Sequence, residues 1–109
     1  MPGHPNPKET APMAISMIVE LRAKPGRRAE LNSRLETVIA TQGRDLHGFL
    51  ASTRHEVLDD DDMLVGIADW ESAEARAAHM QNAAATGAYA PLLELLAAPF
   101  RVTVIRQLP

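Results

Sequence analysis

Four stretches of this chain alternate apolar and polar side chains with a period of two, and two longer ones repeat apolar residues at helical spacing. The order in which they come leaves few folds open. Ile15, Met17, Val19 and Leu21 alternate with Ser16, Ile18, Glu20 and Arg22, which predicts a strand over 15–23 that Lys24-Pro25-Gly26 ends. A helix is expected from about Arg27 to Gln42, because Leu31, Leu35, Val38 and Ile39 make one apolar stripe, with Gly43 as a reasonable stop. Phe49 to Leu58 reads as the second strand, with Phe49, Ala51, Thr53, His55 and Val57 on one face. The run Asp59 to Asp62 reads as a solvated turn, and Met63 to Trp70 as the returning arm of a hairpin. Ser72 is a good N-cap for a second helix, with Glu74 in its first turn and Thr86-Gly87 at its end. Pro91 suits the first position of a short third helix over 91–97, Pro99 stops it, and 100–107 is the last strand.

The order β-α-β-β-α-β, with a small extra helix before the final strand, is the split βαβ arrangement of the ferredoxin-like fold. The fold class is therefore α+β, one antiparallel sheet with both helices on a single face. Residues 1–13 hold Pro2, Pro5, Pro7 and Pro12 and cannot build a core, so they are expected to form a disordered tail ahead of one domain over 14–109. Helices on one face leave the other face of the sheet open, and its pattern is not polar. Ile18 stands among the off-phase residues of the first strand, both phases of the third strand are apolar, and Ile105 opposes Val102 and Val104. Large apolar patches are unusual on monomers, so a homodimer with its two sheets packed face to face is expected.

Composition removes several functions. The net charge is −3 and the cations are scattered, which argues against a nucleic-acid surface and against a polybasic membrane anchor. There is no cysteine, hence no disulfide, thiol nucleophile or thiolate metal site. No apolar run approaches a membrane span, and the amino terminus lacks a signal peptide's apolar core, so a cytoplasmic protein is expected. His47, His55 and His79 lack ligand spacing on any one element, and the four aspartates lack the alternation of a calcium loop, so no metal site is expected.

Chemistry gathers where the third strand meets the second helix. Trp70 ends the strand, Ser72 starts the helix, and His79 follows about two turns in. The sole tryptophan and one histidine thus lie on adjacent elements and can wall one pocket. Ala75 and Ala78 share the helix face of His79, and side chains that small leave either a very close helix–sheet contact or a hollow. His79, titrating near neutrality, suits a base or proton relay, or else it is a hydrogen-bonded histidine at a helix edge. Trp70 offers a flat wall for an aromatic substrate and an N–H donor, or else it is a core aromatic. His55 faces the same pocket if Phe49 and Val57 face the helices, and Tyr89 can close its mouth or anchor its own loop.

Four marks in order, namely Lys24-Pro25-Gly26, the Asp59 to Asp62 hairpin, Trp70-Glu71-Ser72 with Ala75 and His79, and Ala98-Pro99-Phe100, give the chain a family resemblance. Over about residues 14–108 it resembles the antibiotic biosynthesis monooxygenase (ABM) family of dimeric α/β barrels. The resemblance implies a homodimer with one pocket per subunit between sheet and helices. It also implies oxygenation of a quinol or anthrone without metal, flavin or haem. Other members degrade haem or isomerise small metabolites. The haem-degrading members carry an asparagine in the first strand where Val19 stands here, which disfavours that activity. The expectation is a cofactor-independent monooxygenase with His79 and Trp70 catalytic and His55, Tyr89 and Ala75 contacting a small aromatic substrate. The alternatives are a non-catalytic domain that binds a hydrophobic ligand and a cofactor-free isomerase of a small carbonyl compound.

Overall fold

The computed structural model describes residues 14–42 and 46–109. The expected amino-terminal tail and the Gly43 helix stop lie outside them. The elements run β1 (Ile15–Arg22), α1 (Arg28–Gln42), β2 (Phe49–Val57), β3 (Asp60–Trp70), α2 (Ala73–Thr86), α3 (Ala90–Leu93) and β4 (Arg101–Ile105). The strands form one antiparallel sheet in the order β2-β3-β1-β4, the ferredoxin-like arrangement. No helix among the described residues is long and apolar enough to cross a membrane.

The helices lie on one face of the sheet and divide the core into two parts. Leu21 and Leu64 of the sheet pack with Leu31 of α1 and with Leu92 and Leu95 at α3. Ile15, Met17 and Trp70 pack with Ala75 of α2, with Phe49 beside them. Val19 touches both groups. Helix α2 begins and ends where its sequence says it should. The Ser72 Oγ accepts the Ala75 N–H at 3.1 Å, and Gly87 takes the left-handed conformation (φ 67°) that closes α2.

Gly48 sets how closely α2 approaches the start of β2. Its φ is +83°, its carbonyl accepts the Glu71 N–H at 2.8 Å, and a Cβ there would stand 2.5 Å from the Ala75 Cβ. Only glycine combines that backbone conformation with that proximity. The close approach brings the first turn of α2 down beside Trp70.

Three expectations need correcting. First, β2 does not keep one parity. Phe49 pairs with Trp70 but Ala51 pairs with Asp69, so a β-bulge at Leu50 places two residues against one. Beyond the bulge Ser52, Arg54 and Glu56 pair with Ala68, Gly66 and Leu64 on the helix side, and Ala51, Thr53 and His55 turn to the open face. Second, the aspartate run is mostly strand: the turn is at 58–59, and β3 begins at Asp60. Asp60 pairs with Arg22 at 2.9 Å and Asp62 accepts the Gly26 N–H at 3.0 Å, so these carboxylates tie the hairpin to the β1–α1 turn. The Arg22 hydrogen bond holds the Asp60 carboxyl below its ordinary range. Third, α3 is only Ala90–Leu93, and Leu96 instead bridges to Ala23.

The open face carries Ile18, Met63, Val65, Ile67 and Ile105 among polar neighbours such as Ser16, Thr53 and His55. Every residue of β4 is exposed.

Candidate functional site

Between the two halves of the core lies a cavity of about 150 Å³. Its floor is Ser52, Gly66 and Ala68 beside Val19, and its roof is Leu35, Val38 and Ile39 of α1 with Arg76, His79 and Met80 of α2. The hollow exists because three neighbouring floor positions on β2 and β3 carry small side chains or none, so the roof residues have nothing to interdigitate with. The alanines of α2 are not the cause: Ala75 is buried against Trp70 in the core, away from the cavity lining. Phe100 and Val102 line the cavity yet stay 40% and 36% exposed, so it opens past β4.

Trp70, His79 and Tyr89 form one cluster on this wall. The indole is buried, and the imidazole stacks on it with ring centroids 5.2 Å apart and planes at 28°. Phe49 meets the indole edge-on, with ring centroids 5.4 Å apart. The His79 Nε2 and the Tyr89 hydroxyl are hydrogen-bonded at 2.7 Å. The His79 Nδ1 is buried with no partner among the described residues. The spacing explains the stack: Trp70 is the last residue of β3, Ser72 caps α2, and two turns up from the cap the helix passes over the strand end.

Two ionisable groups of the cluster are shifted. Burial, with the Arg76 charge adding to it, lowers the pKa of His79, so the imidazole is neutral at pH 7. Burial raises the pKa of the Tyr89 phenol, which stays protonated and can donate or accept. The His79 shift has a consequence for stability. Below about pH 6.5, the ordinary histidine value, the unfolded chain binds a proton that the folded chain resists. Stability is therefore full above that pH and is lost as the pH falls through it toward the folded-state value. The urea midpoint should fall between pH 6.5 and pH 5 in the wild type and fall less in His79→Gln. Equal slopes in the two proteins would assign the effect to other groups.

Of the residues singled out in the sequence, the structure brings together Trp70, His79 and Tyr89. It does not bring in His55. The bulge at Leu50 turns that side chain to the open face, where its Nε2 lies 3.0 Å from the Thr53 hydroxyl. Two arginines line the cavity that the sequence reading passed over, Arg54 and Arg76. Arg76 shares a helix face with His79 and Met80, a spacing that marks its position but does not show the cavity beneath that face. Arg54 was hidden by the bulge.

Residues 14–90 match the family described as antibiotic biosynthesis monooxygenase. Comparison with curated proteins gives no match. Among solved structures, Rv0793 from Mycobacterium tuberculosis is 26% identical, with a TM-score of 0.73 over 88% of this chain and 96% of that one. A mutant of SnoaB, a cofactor-independent oxygenase from Streptomyces nogalater, is 19% identical, with a TM-score of 0.75 over 87% and 93%. A conserved protein from Methanosarcina mazei Go1 is 15% identical, with a TM-score of 0.77 over 91% and 97%.

Proposed function

Because the chain belongs to the antibiotic biosynthesis monooxygenase family, we propose that it is a cofactor-independent monooxygenase of a phenolic or enolic aromatic, of the quinol or anthrone type. The observation that carries this reading is the buried imidazole of His79, stacked on Trp70 and hydrogen-bonded to Tyr89 at the wall of an apolar cavity. In the tautomer that donates Nε2–H to the Tyr89 oxygen, Nδ1 keeps the lone pair a base needs. His79 takes a proton from the substrate, and Trp70 gives the ring a flat surface to lie against. The resulting carbanion passes one electron to dioxygen, and the two radicals combine as a peroxide. Where the reacting carbon is a methylene, loss of water leaves a carbonyl, with one oxygen atom in the product and the other in water. Both hydrogens of the methylene leave in that water, so no outside reductant is consumed. The apolar lining excludes bulk water and strengthens each polar contact to the developing anion.

Oxygen uptake with a panel of hydroquinones and anthrones tests the reading, with uptake above the uncatalysed rate as the expected result. Ligand-induced thermal shifts without uptake or product would favour a binding domain. Product formed under nitrogen would mark an isomerase.

The same reading makes the protein a homodimer that buries the open sheet faces of two copies. Ile18, Met63, Val65, Ile67 and Ile105 lie on that face, an apolar set suited to a second sheet. Sedimentation equilibrium should give twice the chain mass in the wild type and the chain mass in Ile18→Lys. A monomeric wild type would contradict the dimer.

A further inference from the structure

The cavity is apolar, but the charges at its wall have one sign. Arg54 and Arg76 line it, and no carboxylate does among the described residues, in a chain of net charge −3. The two guanidinium groups are not equivalent. Both carry a buried Nε without a hydrogen-bond partner, but Arg54 is ion-paired with Glu36 at 3.3 Å, so its charge is already met. Arg76 has no acidic partner among the described residues, and its Nε is buried without a hydrogen-bond partner. A partly buried cation with neither counter-ion nor full hydrogen bonding is costly to keep. It stands one helical turn before His79, close enough that its charge weakens the imidazole's hold on a proton.

We propose that the cavity binds its aromatic ligand as an anion and that Arg76 holds the ionised oxygen beside His79. The proposal takes from the preceding reading that the ligand is a phenol or enol and that His79 accepts its proton. In the proton transfer, the ligand O–H or C–H bond breaks, the proton goes to the imidazole, and the electron pair is left on the ligand. The charge then rests on an oxygen that Arg76 N–H groups can reach, a charge-assisted hydrogen bond in a water-poor site. The anion lies between the guanidinium and the new imidazolium, which offsets the repulsion between those two cations.

The test uses 4-nitrophenol, whose ionised form alone absorbs in the visible, and its neutral isostere 4-nitroanisole. At pH 7 the wild type should hold bound nitrophenol in a more ionised state than free nitrophenol, and should bind the phenolate about tenfold or more tightly than the anisole. Arg76→Gln should remove that preference while changing anisole affinity less than about twofold, and Arg76→Lys should restore part of it. The wild-type preference needs no variant to be read, so poor folding of Arg76→Gln leaves the test intact. A wild type that binds the two probes equally or binds neither, bound nitrophenol no more ionised than free, or an Arg76→Gln that weakens both probes alike would overturn the proposal. Anion preference without oxidation of any substrate would leave Arg76 in its role and remove the oxygenase. Oxidation with no anion preference would do the reverse.

Discussion

His79→Ala is expected to lower turnover of an oxidised aromatic substrate by about 10²–10⁴-fold, the usual contribution of a positioned general base. The loss should fall on kcat, because the stacking surface of Trp70 and the apolar lining that hold the ring remain. The variant also opens a space the size of the missing ring between Trp70 and Tyr89, which stand on either side of the imidazole. Added imidazole should enter that space and recover part of the rate, and it should do nothing to the wild type. The deprotonation of His79 should appear as the acid limb of the wild-type pH–rate profile, set below the ordinary histidine value by burial and by the Arg76 charge. Single-turnover rates across pH, with and without imidazole, check all three outcomes. Unchanged turnover in His79→Ala would remove His79 from the chemistry.

Trp70→Ala is expected to destabilise the fold by about 3–5 kcal/mol, the range for truncating a large buried aromatic. Trp70 is 4% exposed and sits at the centre of one half of the core, against Ile15, Met17 and Ala75 and edge-on to Phe49. Against a total stability of about 5–15 kcal/mol for a domain, that loss should lower the melting temperature by more than about 10 °C. Trp70→Phe keeps most of the buried surface but shortens the face that His79 stacks on. It should fold with a smaller loss and raise KM for a polycyclic substrate more than for a single-ring one. Calorimetry and steady-state kinetics on the two variants separate packing from substrate contact. A Trp70→Ala protein as stable as the wild type would show that the indole is not a core residue.

The strand and helix order was legible because each element carries its own period and its own stops, from Lys24-Pro25-Gly26 to Ser72 and Gly87. The meeting of Trp70 and His79 was legible for the same reason: a strand end, a short cap and two helical turns fix the geometry locally. What lay beyond the sequence depended on pairing between strands. The period of two in β2 predicts His55 on the face of Phe49, and a single extra residue at Leu50 reverses the side chains from Ala51 to Glu56. The aspartate run looks solvated in isolation because its partners Arg22 and Gly26 lie far back in the chain. The hollow itself comes from Ser52, Gly66 and Ala68 meeting across two strands, a coincidence that neither strand shows alone. Arg76 reads as one more charge on a helix surface until the cavity beneath it is seen.

Oxygen-isotope labelling tests the central claim most directly. Under ¹⁸O₂, with an anthrone-type substrate, a chelator present and the protein freed of flavin and haem, one labelled oxygen atom should enter each product molecule. The rate should exceed the uncatalysed reaction and collapse in His79→Ala. Product carrying no label, or labelled product formed as fast without the protein, would contradict a monooxygenase built on the Trp70–His79–Tyr89 wall.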